Sequence, residues 1–286
     1  MNRAKVRKLK KYLKKRLSTK QIVFLRNLAL FISRIKRCFV YSQYDYEAYW
    51  RRRAYGSGQS RVLWTNEEYN QLVRELERDI IKPYVAHLRP GDQVLDIGCG
   101  IGVVAKMMLD INPRIQIDAV DFPEMIEVAK KENADPRIQY IASAAESYFN
   151  GHKKYRFILS SGCFSAIRDV EKMERGMDNC VRMLGPSGVI LLIDPFHKWN
   201  YLARAKCSSR QVIRFMRARG CILIEKSGVL FWPYREWLCN SNVYGEELRR
   251  RFFQGERLLE ILGKHAWADY KVLAFRKISE HGSKRG

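Results

Sequence analysis

The sequence predicts an α/β fold built on a doubly wound, mostly parallel sheet of seven strands. Short apolar runs alternate with amphipathic helical segments after residue 90, which is typical of strands joined by crossover helices. The run VLDIGCGIG at residues 94–102 places a glycine-rich turn directly after the first of these strands. The chain has 286 residues and is 47% hydrophobic, so it can bury one full core with appendages.

Apolar periodicity gives the order of the elements. The predicted strands cover residues 93–97, 116–120, 138–142, 157–160, 189–193, 221–226 and 270–275. The main predicted helices between them cover residues 103–110, 123–133 and 169–184. We therefore predict a core domain over residues 90–278, with an aromatic-rich insertion at 228–262 and a flexible tail at 279–286.

Residues 41–89 are predicted to form a cap segment in front of that domain. The segment begins with frequent tyrosine, tryptophan and arginine residues, and it continues into a helical pattern. This helix is predicted to start at Thr65, whose hydroxyl can cap it together with Glu68, and to run to about His87. The proline and glycine that follow at 90 and 91 end it.

Residues 1–40 are predicted to form a basic, helical N-terminal extension. They contain fourteen Lys or Arg and no Asp or Glu, in a chain whose formal net charge is +23. The apolar side chains of their second half fall on one side of a helix: Phe24, Leu25, Leu28, Phe31, Ile32, Ile35 and Phe39. Such a helix fits an anionic membrane surface. Packing of the same face on the chain's own core is an equal alternative, and a lysine-rich arm also suits RNA.

Cysteine usage and hydropathy predict the compartment. Seven cysteines are scattered without a CxxC or Cys/His spacing, so we predict free thiols and no metal site. The apolar stretch at residues 22–32 is broken by Arg26 and Asn27, which makes it too short and too polar to span a bilayer. No small-residue cleavage site follows it. We therefore predict a cytoplasmic location, peripheral to the membrane if the extension binds lipid.

The glycine turn and the second strand predict a nucleotide-like ligand. Gly98, Gly100 and Gly102 alternate with other residues, whereas pyrophosphate binders follow the pattern GxGxxG. The second strand ends at Asp121, 19 residues after Gly102, where a carboxylate can accept hydrogen bonds from both ribose hydroxyls. A helix cap for the segment starting at Pro123 is the alternative role of Asp121.

Five motifs in register resemble the class I S-adenosylmethionine-dependent methyltransferases, which have a Rossmann-like fold. The motifs are VLDIGCGIG, AVDFPEMIEVAK, ASAAES, FILSSGCFSAIRD and GPSGVILLIDP, and the resemblance covers residues 90–278. It implies S-adenosylmethionine as the cofactor. The implied cofactor residues are Gly98, Cys99 and Gly100 against the methionine part, Asp96 orienting its amino group, Asp121 on the ribose, Phe122 against the adenine, Ala145 and Glu146 at the adenine edge, and Ser161 beside the methionine moiety.

Catalysis by such a domain rests mainly on alignment, because the sulfonium already activates the methyl group. A hydroxyl acceptor also requires a base. Many family members carry histidine after the fourth strand, but this chain has Cys-Phe-Ser-Ala-Ile at residues 163–167. We therefore predict His197 as the base, with Asp194 orienting it or binding a substrate hydroxyl. An exposed histidine at a helix start is the alternative for His197, and a helix cap is the alternative for Glu146.

The insertion supplies candidate acceptor residues. Trp232, Tyr234 and Arg235 suit an acceptor with apolar faces and hydroxyl or anionic groups, and a satellite core is the alternative. The motif (D/N)-P-P-(Y/F/W) of amino-directed nucleic-acid enzymes is replaced by Ser-Ser-Gly-Cys at residues 160–163. We therefore predict O-methylation of a glycan or lipid-linked cell-envelope precursor, or of another small molecule, at the cytoplasmic membrane surface. A tRNA or rRNA methyltransferase is the alternative.

Overall fold

The computed structural model of the protein describes residues 45–197 and 207–278. The predictions made for the N-terminal extension and for the tail lie outside these residues. The sheet has seven strands in the order β3-β2-β1-β4-β5-β7-β6. The strands from β3 to β5 are parallel, and β7 runs antiparallel to both β5 and β6. The predicted doubly wound, mostly parallel sheet is confirmed.

All seven predicted strands are present, and the later strands extend beyond their predicted ends. The strands are β1 Gln93–Ile97, β2 Gln116–Asp121, β3 Ile138–Ala142, β4 Tyr155–Ser161, β5 Leu184–Asp194, β6 Cys221–Phe231 and β7 Ala268–Lys277. The helices are α1 Tyr46–Arg53, α2 Glu67–Val85, α3 Val103–Ile111, α4 Pro123–Glu132, α5 Val170–Met183, α6 Ser209–Arg217, α7 Trp232–Leu238, α8 Gly245–Leu262 and α9 Lys264–Trp267.

The start of α2 differs from the prediction. Asn66, not Thr65, is the N-cap residue, and its side chain accepts a hydrogen bond from the Tyr69 backbone N–H at 3.0 Å. The Thr65 hydroxyl instead donates to Asn240 at 2.8 Å. An asparagine is as good a cap as a threonine. Asn66 takes this role because it directly precedes the first residue of α2.

The insertion begins later than predicted. β6 continues to Phe231, because Gly228, Val229 and Phe231 still pair with β7. Residues 228–231 therefore belong to the sheet. The inserted residues are α7 and α8, which pack with α2 and with the end of β6 in a cluster that includes Tyr69, Leu238 and Phe252.

The main hydrophobic core holds the carboxyl ends of the parallel strands in place. Ile81 and Val85 of α2 and Met108 of α3 pack with buried side chains of β1, β2 and β4. These strands are buried almost throughout, as expected for a parallel sheet covered by helices. Among the described residues, no helix is long and apolar enough to cross a membrane.

Candidate active site

The turn after β1 is shaped by glycine where no other residue fits. Gly98 has φ 78°, and a Cβ on it would lie 2.3 Å from the Cβ of Cys163. The backbone N–H groups of Gly98 and Cys99 donate to the Val120 carbonyl at 2.8 and 3.0 Å. The turn is thereby fixed to the end of β2, with its backbone facing a cavity.

Asp121 braces this turn. Its Oδ2 accepts a hydrogen bond from the Gly100 N–H at 2.7 Å, and its Oδ1 accepts one from the Phe122 N–H at 2.7 Å. Burial raises the pKa of Asp121 to about 6, although both hydrogen bonds oppose the shift. The N-cap residue of α4 is Phe122, without a side-chain cap. The alternative role of Asp121 as the helix cap is therefore wrong.

Asp96 at the base of the turn presents a carboxylate oxygen to the cavity. The residue is 2% exposed, and its Oδ2 has no hydrogen-bond partner among the described residues. Burial raises the pKa of Asp96 to about 7, while the nearby Arg74 guanidinium opposes that shift. A buried acceptor atom without a partner is costly, so this oxygen fits a cationic ligand group that the cavity would receive.

Glu146, after β3, connects the cavity wall to the cap. Its Oε1 accepts a hydrogen bond from the Tyr46 hydroxyl of α1 and lies 3.8 Å from the Lys172 ammonium group. Glu146 stands in a turn rather than at a helix start, so its alternative role as a helix cap is wrong. Arg51 of α1 lies over the Phe122 ring at 5.1 Å. The cap helix therefore covers the part of the cavity predicted to take the adenine.

These groups line one cavity, which is partly open to solvent. All nine predicted cofactor residues line it: Asp96, Gly98, Cys99, Gly100, Asp121, Phe122, Ala145, Glu146 and Ser161. The structure thus brings together residues from the ends of four strands, although their contacts with a cofactor stay a prediction. Ligands in such sheets bind outside the carboxyl ends of the strands.

Two charged residues of α2 line the same cavity and were not predicted. Glu77 is 4% exposed and forms an ion pair with Arg74, and the Ser161 hydroxyl donates to Glu77 Oε1 at 2.6 Å. A sequence signal existed. Glu77 lies four residues from both Val73 and Ile81, which are buried, so a carboxylate stands where α2 should be apolar.

The other half of the cavity lies over β4, β5 and β7. Here Arg235 of α7 forms an ion pair with Asp269, with 2.7 Å between Nε and Oδ2, and its guanidinium lies 5.8 Å from the Trp64 ring centroid. Trp64 and Tyr270 complete this aromatic wall. Burial acts to raise the pKa of Asp269, but Arg235 and His197 outweigh it and lower that pKa to about 2.

Of the predicted acceptor residues, only Arg235 lines the cavity. Trp232 is not among the described residues that line it, so its contact with the acceptor stays a prediction. Tyr234 packs against Phe231, Leu259 and Gly255 instead, and for it the satellite-core alternative is correct. Both residues belong to the start of α7, which follows directly on the end of β6.

Neither Asp194 nor His197 is among the described residues that line the cavity, and their catalytic roles stay a prediction. Asp194 is fully buried and accepts hydrogen bonds from the Ser165 N–H at 3.2 Å and from the Ser160 hydroxyl at 3.4 Å. It therefore faces the protein interior, and burial raises its pKa to about 7. His197 is 9% exposed, so it is not an exposed histidine. Its Nε2 lies 2.7 Å from the Asp269 carbonyl oxygen and 3.2 Å from Asp269 Oδ1, and Asp269, not His197, lines the cavity.

Cys99 and Cys163 line the cavity as thiols. Burial raises the pKa of each well above its usual value, which makes both poor nucleophiles. Cys163 packs directly against Gly98. No group of three or more potential metal ligands is present in residues 45–197 and 207–278.

Comparison with known proteins places this site in a family. Residues 94–188 match the sequence profile described as "Methyltransferase domain". The chain is 32% identical over 112 residues to malonyl-[acyl-carrier protein] O-methyltransferase 1 of Ilyobacter polytropus, covering 38% of this chain and 41% of the relative. It is 36% identical over 78 residues to ribosomal RNA small subunit methyltransferase C of Aliivibrio fischeri, covering 26% of this chain and 22% of that one. The chain thus spans less than half the length of these relatives.

Solved structures show the same fold at low identity. The N-methyltransferase NodS of Bradyrhizobium japonicum, in complex with S-adenosyl-L-homocysteine, has a TM-score of 0.56 at 14% identity, covering 82% of this chain and 100% of NodS. The [4+2]-cyclase SpnF has a TM-score of 0.54 at 17% identity, covering 76% and 86% of the two chains.

The residues of the cavity fit the cofactor of this family. The unpartnered oxygen of Asp96 suits an ammonium group, and the backbone of Gly98 and Gly100 lines the cavity directly. The sequence match extends from β1 to the middle of β5, and the glycine turn, Asp121 and the turn after β3 all lie within it. The chain therefore carries a class I methyltransferase domain whose cofactor is S-adenosylmethionine.

Proposed function

We propose that this chain transfers the methyl group of S-adenosylmethionine to an oxygen atom of a small acceptor, or of the terminal group of a glycan or lipid-linked acceptor. One observation carries the proposal: the cavity continues past the predicted cofactor residues to Trp64, Arg235, Asp269 and Tyr270. A donor and an acceptor can therefore bind side by side.

When bound, the cofactor supplies an activated methyl group on its sulfonium, so the protein mainly has to position the acceptor. Trp64 and Tyr270 offer flat apolar walls, and Arg235 fixes the orientation of the Asp269 carboxylate. Because its pKa lies near 2, Asp269 stays ionised and can accept a hydrogen bond from an acceptor hydroxyl. As the O–CH3 bond forms and the S–CH3 bond breaks, the hydroxyl proton leaves along this hydrogen bond and passes to solvent, to which the cavity is partly open. The His197 Nε2 lies 3.2 Å from Oδ1, the other oxygen of the Asp269 carboxylate. His197 therefore acts as a positioning residue in this proposal.

Transfer to oxygen has support from the relatives. The malonyl-[acyl-carrier protein] O-methyltransferases of Ilyobacter polytropus and Anoxybacillus flavithermus are named for that reaction. Their similarity to this chain is confined to about a third of its length, so it supports the type of reaction rather than the acceptor. A cap that covers one wall of the cavity favours an acceptor whose methylated group is small enough to enter.

We propose a cytoplasmic location at the inner face of the membrane, on the sequence of residues 1–40. A basic segment with one apolar side binds anionic lipid through both its charge and its apolar area. The second candidate function is RNA methylation. It is favoured by the same basic segment and by the similarity to ribosomal RNA small subunit methyltransferase C.

The proposal is tested by following a labelled methyl group. The full chain is incubated with labelled S-adenosylmethionine and, in separate reactions, with a cell-envelope glycolipid fraction and with total RNA. We expect label in the glycolipid fraction, and none with an Asp121→Ala variant, which loses a predicted ribose contact and the brace of the glycine turn. Label in RNA alone would establish the second candidate, and no transfer to either fraction would contradict both.

Donor binding is expected to depend on pH through Asp96. The free carboxyl has a pKa of about 7, but it must be ionised to pair with the donor's ammonium group. We therefore expect affinity for S-adenosylmethionine to rise about tenfold between roughly pH 5.5 and 7, with Asp121 acting in the same direction. Above about pH 7.7 the donor's own amino group starts to lose its proton.

Calorimetry on the full chain at three pH values within that range measures the effect. The Asp96→Asn variant serves as the control, because its amide does not titrate. It should bind the donor more weakly and with a flatter pH profile. A wild-type affinity that stays constant over this range would show that Asp96 is ionised throughout, or that it does not contact the ammonium group.

A further inference from the structure

Three large apolar side chains are exposed together where α8 is followed by α9. Ile261 is 79% exposed, and Leu262 and Trp267 are also exposed. Gly263 alone separates the two helices, so the three residues lie on one short stretch of chain, here called the apolar tip. Single exposed apolar residues are normal on a protein surface, whereas a cluster of them marks an interaction site.

The hydrogen bonds of His265 bring three elements together beside the apolar tip. Its Nε2 lies 2.9 Å from the Ser209 hydroxyl oxygen of α6, and its Nδ1 lies 3.0 Å from the Ser227 carbonyl oxygen of β6. Each of these three residues has an exposed basic neighbour in the sequence. The neighbours form what we call the basic rim of the tip: Arg210, Lys226 and Lys264.

α6 extends the basic rim with further positive charge. Its exposed side has arginines spaced at i, i+4 and i+7, which places them on one face of the helix: Arg210, Arg214 and Arg217. Residues 207–220 contain no Asp or Glu. Glu260 pairs with Lys264 at 3.2 Å, but both side chains are more than half exposed, so this pair contributes little. The surface around the apolar tip is therefore cationic.

The apolar tip is close to the acceptor half of the cavity. β7 begins directly after Trp267, and its second and third residues, Asp269 and Tyr270, line the cavity. The Trp267 ring also contacts Phe231 at the end of β6, with 6.2 Å between the ring centroids. Whatever binds the apolar tip is therefore held next to the part of the cavity assigned to the acceptor.

We propose that the apolar tip and its basic rim dock this domain on an anionic lipid leaflet, with the acceptor half of the cavity beside the lipid surface. The inference rests on the proposed function for its lipid-linked acceptor, and this surface is distinct from residues 1–40. Aliphatic and indole side chains enter the boundary between headgroups and acyl chains, while the cations pair with anionic headgroups. RNA phosphates would pair with the same cations but would leave Ile261 and Leu262 without an apolar partner.

The first experiment measures the affinity of the full chain for vesicles of phosphatidylglycerol and phosphatidylcholine in equal parts. We expect Ile261→Ser/Leu262→Ser to lower this affinity about 10- to 100-fold. Arg210→Gln/Lys226→Gln should lower it about 5- to 30-fold, with little effect on vesicles of phosphatidylcholine alone. These losses stay measurable if residues 1–40 also bind lipid, because two linked attachments bind more tightly than either one.

Ile222→Ser is the matched control. Ile222 is also an exposed isoleucine, but it lies at the start of β6, away from Ser227 and the apolar tip. It should bind vesicles as the wild type does. An equal loss in this control, or wild-type affinity in the tip variant, would overturn the docking surface. So would a rim variant that loses RNA binding while its vesicle binding is unchanged.

A second measurement reports on the tip itself. Lipids brominated on their acyl chains quench a tryptophan that reaches them, so Trp267→Phe should remove part of the quenching seen in the wild type. Trp237→Phe is the control, because Trp237 is 46% exposed and Trp267 is 42% exposed, but Trp237 lies under Arg251 of α8, away from the tip. Quenching that depends on Trp237 and not on Trp267 would contradict the proposal.

Methyl transfer in detergent separates this inference from the proposed function. A glycolipid fraction dispersed in detergent offers no bilayer, so Ile261→Ser/Leu262→Ser should transfer label there at the wild-type rate and lose activity only on vesicles that contain the fraction. A variant equally impaired in detergent would overturn the docking role. A wild type without transfer in detergent would overturn the proposed function, while the vesicle affinities decide the docking surface independently.

Discussion

The Gly98→Ala variant is expected to lose donor binding and about 2–5 kcal/mol of unfolding free energy. Alanine at a φ of 78° costs roughly 1–2 kcal/mol of backbone strain. Its Cβ would also lie 2.3 Å from the Cβ and 2.5 Å from the Sγ of Cys163, and relieving such a clash typically costs about 1–3 kcal/mol. The turn must then move away from Val120, to which Gly98 and Cys99 donate.

Urea unfolding and calorimetry with S-adenosylmethionine measure the two effects. Gly91→Ala is the matched control, because Gly91 has a φ of 82° but no neighbouring atom within 4 Å of the place that a Cβ would take. It should show the backbone strain alone and bind the donor normally. Gly98→Ala combined with Cys163→Gly should recover the part that comes from the clash. The account is wrong if Gly98→Ala is no less stable than Gly91→Ala.

This part of the site could be predicted from the sequence because its determinants are local. Three alternating glycines after an apolar strand predict a turn. An acidic residue at the end of the next strand is then predicted to lie beside that turn. Asp121 lies beside the glycine turn for that reason, since β1 and β2 are adjacent parallel strands. Seven strands were predicted on similar grounds, from short apolar runs and the turns between them.

The acceptor half could not be predicted because it depends on long-range orientation. β7 is antiparallel to β5, with Asp194 paired to Lys271, so the start of β7 lies at the carboxyl end of β5 and brings Asp269 to the cavity. The rule that ligands bind at strand carboxyl ends located Asp194 and His197 nearby, but it does not give side-chain direction. Glu77 meets Ser161 across 84 residues of sequence, and no local pattern contains that partner.

The Asp269→Ala variant is expected to lose about 3–5 kcal/mol of unfolding free energy. The Arg235 and Asp269 side chains are 14% and 5% exposed, and removing one partner of a buried ion pair leaves the other charge uncompensated. His197 would lose a hydrogen-bond partner in the same step. Donor affinity should stay near wild type, because Asp269 lies over β7 and the predicted donor residues follow β1 to β4.

Two comparisons isolate the cause of that loss. Glu75→Ala breaks an ion pair with Arg249 whose side chains are 50% and 56% exposed, and it should cost no more than about 1 kcal/mol. Asp269→Ala combined with Arg235→Met removes both charges and should recover most of the stability, since the stranded guanidinium is the main cost. Such recovery without recovery of methyl transfer would assign the pair to the acceptor site. A double variant as unstable as Asp269→Ala would instead trace the loss to His197 or to packing.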